Sequence, residues 1–300
     1  MSHALRPDKR DSAKLLIGIL GIGSSGPLIA LSSMPVLTLI FWRNLGGSLL
    51  TLPFLIRDRK KLDSVGVKWS IRAGVVLALH FIGFFIAMRF TSVAAGTALV
   101  ALQPIFASWF VKITGGDIPA RAWTGMFISL AGVVAISGID FSLDRDSFIG
   151  DIAAIISAAL AALYMLWGSR ALKTLPATSY MTICYFTCAI TALPLAIIAG
   201  QEIYSFPARQ WWILLGLIGG AQMLGHSMFN SALKKVSPAI VSLIVFFEVP
   251  VAALIAWAFN IGKEPSALLL PGIAVILAGC TIVVMRTRPS QEITKAEVLE

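Results

Sequence analysis

Ten apolar stretches follow one another along the chain, at 15–33, 36–56, 69–90, 93–111, 122–139, 149–169, 179–199, 210–230, 238–259 and 267–285. Each is close to the twenty or so residues a helix needs to cross the hydrocarbon core of a bilayer. The breaks between them carry turn chemistry: Met34-Pro35, Gly115-Gly116-Asp117-Ile118-Pro119, Leu175-Pro176, Ser237-Pro238 and Lys263-Glu264-Pro265. The expected fold class is an all-α integral membrane protein of ten transmembrane helices.

The last five stretches resemble the first five. Residues 117–125 align with 264–272, so that Gly125 meets Gly272, and Gly132 then meets Gly279. Leu52-Pro53 in the second span matches Leu193-Pro194 in the seventh, and Gly83 in the third matches Gly225 in the eighth. Pro104 and Pro250 lie near matching depths in the fourth and ninth, with a one-residue slip. An odd number of spans per repeat forces the halves into opposite orientations. The chain therefore reads as two inverted five-helix repeats, 15–139 and 149–286, between an N-terminal tail (1–14) and a C-terminal tail (287–300). That is the layout of secondary transporters whose site lies between the repeats.

Composition sharpens this reading. Hydrophobic residues make up 57% of the chain and charged residues 13%, about half the charged fraction of soluble domains. The net charge of +9 does not suggest nucleic acid, because the basic residues sit in short loops and not on the face of a soluble module. Their distribution sets the topology instead. With the N-terminus in the cytoplasm, nineteen of the 24 Lys and Arg residues fall in cytoplasmic segments, as the positive-inside rule requires. Both termini are expected in the cytoplasm and the protein in the inner membrane. The first apolar run lacks a small-residue cleavage site, so it is read as a span and not as a signal peptide.

The family resemblance rests on Phe41-Trp42-Arg43-Asn44, on Leu102-Gln103-Pro104-Ile105-Phe106, and on the run Glu248-Val249-Pro250 through Trp257, followed by Gly262-Lys263-Glu264, Gly272 and Gly279. In this doubled order the chain resembles the EamA-type branch of the drug/metabolite transporter superfamily over about residues 15–286. It departs from the pattern in three places. Val249 separates Glu248 from Pro250, Gln103 stands where an acid is common, and Gly116-Asp117 replaces Gly-Glu. The resemblance implies a transporter, commonly an exporter, of small metabolites such as amino acids or their analogues. It also implies a central cavity, with the fifth and tenth spans outside it at a homodimer contact. The bilayer and a small-molecule substrate are then the expected partners.

Few polar side chains sit deep in the spans, and each is expensive there. Glu248, about ten residues into the ninth span, is the proton-coupling candidate. It would serve equally as a partner for a substrate amine, or as a structural carboxyl bonded to backbone freed by Pro250. Substrate-binding candidates are Ser24, Arg43, His80, Gln103, Tyr164, Trp167, Gln222 and His226. Ser24 precedes Ser25-Gly26-Pro27, a break that exposes backbone groups. His80 matches Gln222 in the repeat register, and Gln222 shares a helix face with His226. Arg43 suits a substrate carboxylate, or else snorkels to the interface; Trp167 is also an ordinary interfacial aromatic.

These candidates place spans one, three, four, six, eight and nine around the cavity. No metal or other cofactor is expected. Cys184 and Cys188 have no acid or imidazole near them in sequence, and Gly21-Ile-Gly23-Ser-Ser-Gly26 fits a dinucleotide fingerprint but lacks the preceding strand and the ribose-binding acid. A channel for small solutes, and a membrane-embedded lipid enzyme, are the competing function classes. The second would need clustered acids and histidines near an interface.

Overall fold

The computed structural model describes residues 9–91, 93–137, 145–236, 241, 243–260 and 267–284. Its long elements are helices: α1 (Lys9–Gly23), α2 (Ser25–Leu31), α3 (Val36–Arg57), α4 (Ser64–Phe90), α5 (Val93–Val100), α6 (Gln103–Ile113), α7 (Ala120–Ser137), α8 (Arg145–Ala171), α9 (Ala177–Ile198), α10 (Ala208–Gly216), α11 (Ser227–Ala232), α12 (Glu248–Ala258) and α13 (Leu269–Val284). A π-helical segment, Leu217–His226, joins α10 to α11, and a 3₁₀ turn, Ile244–Phe247, leads into α12. Seven helical stretches among the described residues are long and apolar enough to cross a membrane, and three more apolar helices are shorter.

Several helices begin earlier than hydropathy suggests. The third span is expected from residue 69, but α4 starts at Ser64 because the Asp63 side chain accepts the Gly66 amide at 2.9 Å. This cap satisfies an otherwise orphaned donor and carries the helix out through polar residues. The same bond holds the Asp63 carboxyl below its usual range. Residues 9–14, assigned to the tail by hydropathy, are the first turns of α1. Asp11 is buried there and pairs with Lys14 (2.9 Å) and Lys235 (3.7 Å).

Three of the expected spans are broken at mid-depth. Ser24 divides α1 from α2, Ala101-Leu102 divides α5 from α6, and the 3₁₀ turn precedes α12. Prolines explain the last two. Pro104 and Pro250 lie in the first turns of α6 and α12, where a missing N–H costs little but where the helix cannot run on from the preceding turn. Gln103 and Glu248 thereby become the first residues of the two half-helices.

Packing follows the sequence repeat. α4 lies along α8, and its counterpart, the π segment, lies along α1. α3 packs on α9, and α7 on α13, each pairing matching elements of the two halves. Small residues let these backbones touch. A Cβ on Gly83 would lie 2.9 Å from the Ala153 carbonyl of α8, and one on Gly225 would lie 2.9 Å from the Ile22 amide of α1. The aligned glycines thus make equivalent crossings. In α7 and α13 the contacts are Gly125 with Gly279 and Gly132 with Gly272, the crossed pairing that exchange of two antiparallel equivalents demands. Without a hydrophobic driving force in lipid, such close backbone approach is the main source of helix association.

Candidate functional site

The broken helices meet at a small cavity within the helix assembly. Its lining comes from α1–α2, α4, α5–α6, α8, the π segment and α12. The polar members are Ser25, His80, Gln103, Tyr164, His226 and Glu248, set against Phe81, Phe84 and Met165. Gln103 is 3% exposed, Glu248 4%, and each histidine 6%, so the polar lining is buried within the helix assembly.

The partners of these groups differ. His80 Nδ1 lies 3.0 Å from the Ser157 carbonyl and 2.8 Å from its hydroxyl, while the Ser157 hydroxyl also reaches the His80 carbonyl at 3.0 Å. One arrangement accounts for all three: Nδ1–H is shared between the Ser157 carbonyl and hydroxyl oxygens, the Ser157 hydroxyl donates to the His80 carbonyl, and Nε2 is left with its lone pair. Gln103 donates to the Met165 sulfur at 3.1 Å, a weak acceptor. The side chains of His226 and Glu248 make no hydrogen bond or ion pair among the described residues. His226 meets only the rings of Phe81 and Tyr164, edge-on, at 5.3 and 6.3 Å.

Behind this wall lies a connected polar network. Arg43, completely buried, donates from Nε to the Gln222 side-chain oxygen (2.8 Å) and from Nη1 to the Ser25 hydroxyl (3.3 Å). Its guanidinium carbon sits 4.4 Å from the Phe81 ring centroid, and Nη2 is buried without a partner. Gln222 in turn donates to Asn44 (3.1 Å). Tyr164 starts a directed chain: its hydroxyl donates to Asn230 (2.7 Å), Asn230 to the Tyr185 hydroxyl (3.3 Å), Tyr185 to Ser227 (3.1 Å), and Ser227 to the Gln222 carbonyl (3.1 Å). That last acceptor also takes the Ser227 amide, five residues on, in the π pattern, a distortion that recurs at functional sites.

Hydrogen bonds also join the α2–α3 junction to the segment 201–210. Gln210 accepts from the Ser32 hydroxyl (3.2 Å) and the Ser33 amide (2.9 Å). Gln201 accepts from the Leu37 and Thr38 amides at the start of α3 (3.1 and 3.2 Å). Thr38 donates to the Glu202 carbonyl (2.8 Å), and Trp42 to the Ile203 carbonyl (2.8 Å). Arg89 donates to the Met34 carbonyl. The Glu202 carboxylate organises this loop by accepting the amides of Tyr204, Ser205 and Ile203 at 2.9–3.0 Å, which holds it below the usual carboxylate range.

Of the sequence candidates, His80, Gln103, Tyr164, His226 and Glu248 line the cavity. Arg43 and Gln222 stand one layer behind it and hold each other; Arg43 does not snorkel. Ser24 and Trp167 lie elsewhere. Ser24 donates to the Gly21 carbonyl (2.6 Å) and faces Gly220, leaving Ser25 in the wall. Trp167 packs on Trp69 at 6.0 Å. One residue of helical register separates the two serines, and hydropathy does not fix register. Hydropathy and motif order do not single out Ser157, Tyr185, Ser227 and Asn230. Their signal was present, since each is a polar group inside an apolar span. Among the described residues no cluster of three or more His, Cys, Asp or Glu could hold a metal ion.

Comparison with known proteins bears on this architecture. The EamA-like transporter family matches the chain twice, at residues 14–138 and 148–285. The pseudopaline exporter CntI of Pseudomonas aeruginosa, in strains UCBPP-PA14 and PAO1, is 24% identical over 263 residues, covering 86% of this chain and 89% of that one. An uncharacterized transporter of Archaeoglobus fulgidus is 23% identical over 258 residues, covering 84% and 88%. One solved crystal structure, 18% identical, shares the fold with a TM-score of 0.71 over 90% of this chain and 96% of that one.

Proposed function

This chain belongs to the EamA-like transporter family, a transporter and not an enzyme, and on that premise we propose that it exports small metabolites such as amino acids or related compounds by alternating access around the central cavity. The export direction follows the named activity of the Pseudomonas relative. In this reading ten transmembrane helices form two inverted five-helix repeats in the inner membrane, with both termini cytoplasmic. Two features support that layout. The packing pairs exchange between the halves. The loop contacts also join helix ends of one parity: Gln201 and Gln210 meet the α2–α3 junction, and Gly66 meets Thr174 and Leu175 between α8 and α9.

The observation that carries the functional reading is a buried cavity lined from both repeats, with the Glu248 and His226 side chains unpartnered in it among the described residues. Polar groups at membrane depth are costly when they have nothing to bind. A substrate bearing an amine would complete Glu248, and its apolar part would lie on Phe81 and Phe84. We assign Glu248 the proton-coupling role, because it is the acid in the chamber and, among the described residues, no cation lies within ion-pair distance of it.

Purified protein in liposomes, offered a panel of amino-acid-like metabolites with and without a pH gradient, tests this. Saturable flux of at least one compound, accelerated by the gradient, is expected. Flux that rises linearly with concentration for every compound would favour a channel and reject the proposal.

A further inference from the structure

Trp69 of α4 carries two cations. The guanidinium carbons of Arg72 and Arg170 each lie 4.8 Å from its ring centroid, hence within twice that distance of one another. They come from different halves of the chain, α4 and α8. Neither makes a hydrogen bond or an ion pair among the described residues, although Arg57 and Lys61 nearby are both engaged by Asp58. Two like charges gathered on one ring repel each other, and the cation–π attraction to Trp69 only partly offsets this. Among the described residues no carboxylate pairs with either guanidinium.

The surroundings identify its chemistry. Arg72 is exposed and Arg170 half-buried. Directly beside Arg72, the side chains of Ile71, Val75 and Leu79 form an exposed apolar stripe down α4, 43%, 38% and 43% accessible, spaced one turn apart on one face. A ligand with a phosphate at the arginines and acyl chains along that stripe matches both halves of the surface. Paired guanidiniums are suited to phosphate oxygens, which they grip bidentately.

We propose that Arg72, Trp69 and Arg170 form a binding site for the phosphate headgroup of an anionic phospholipid, clasping α4 to α8 across the two repeats. The site depends on the chain lying in a membrane and not on the substrate, so it stands or falls separately from the transport reading.

Native mass spectrometry of the full chain, released from nanodiscs of mixed phosphatidylglycerol and phosphatidylethanolamine, provides the test. The wild type should retain phosphatidylglycerol selectively. A guanidinium that contacts the bound phosphate raises affinity about five-fold, so R72Q/R170Q should bind it on the order of thirty-fold more weakly. Lys112→Gln, an exposed cation on α6, should bind as the wild type does. Because the double variant removes packing on Trp69, R72Q alone is measured beside it and should lose about five-fold. Retention unchanged in both arginine variants, or equal loss in Lys112→Gln, would overturn the site. Displacement of the lipid by an equal concentration of inorganic phosphate would also overturn it, by showing that a free anion is the ligand.

Discussion

Glu248 and Arg43 are the charged residues at the heart of the molecule, and the structure treats them oppositely. Glu248 faces the chamber with no partner among the described residues, whereas Arg43 is held by Gln222, Ser25 and Phe81. Glu248→Gln keeps the shape but cannot titrate. Under the proposed mechanism it abolishes the acceleration of net flux by a pH gradient while leaving substrate exchange measurable in liposomes. An unchanged response to the gradient would make Glu248 structural. For Arg43 the expected effect is on stability. Lysine is a point charge that cannot both reach Gln222 and lie flat on Phe81. Arg43→Lys therefore leaves the Gln222 oxygen unsatisfied, at a cost of about 1–3 kcal/mol, read as a lower melting temperature in detergent. Both residues were legible in the sequence as rare charges inside apolar spans. Their difference was not, because it depends on which neighbour each one meets: Gln222 comes from 179 residues away.

At the level of elements, the helix crossings and the loop latch give separate expectations. Gly125→Ala places a methyl 2.5 Å from the Gly279 carbonyl, backbone that cannot move aside, whereas Gly219→Ala meets nothing within 4 Å. Thermal unfolding should show a clear loss for the first and none for the second. The latch has a pH signature. The backbone amides of residues 203–205 hold the Glu202 carboxyl below its unfolded value, so its contribution is present above the ordinary carboxylate range. It is lost as pH falls through the depressed value. The stability difference between wild type and Glu202→Gln should accordingly vanish on the acid side of that range. The glycines and prolines behind these elements could be read as repeats from sequence alone. The half-helix breaks and the π segment could not, since hydropathy averages over a span and does not register a turn that changes its hydrogen-bond step.

On the scale of the whole molecule, two halves matched by the same family are packed through equivalent contacts around one chamber. The sequence carried this through its doubled motif order and the bias of its basic residues, because both are properties of the whole chain. Side-chain direction within a helix was beyond it, as the neighbours Ser24 and Ser25 demonstrate. The inverted layout makes a direct topological statement. With Cys184, Cys188 and Cys280 replaced, Lys60→Cys and Tyr204→Cys should label from opposite faces of the membrane, Tyr204→Cys from outside. Both sites are exposed, so labelling from one face would refute the orientation of the repeats.

The central claim is that the chamber opens to one side at a time. Counter-transport in liposomes tests it most directly: a labelled substrate is loaded on one side and unlabelled substrate is added to the other. An alternating-access carrier returns faster with its site filled, so the account expects saturable flux and acceleration of labelled efflux by unlabelled substrate outside. Efflux that neither saturates nor responds to substrate on the far side would show a continuous path through the protein and contradict the account.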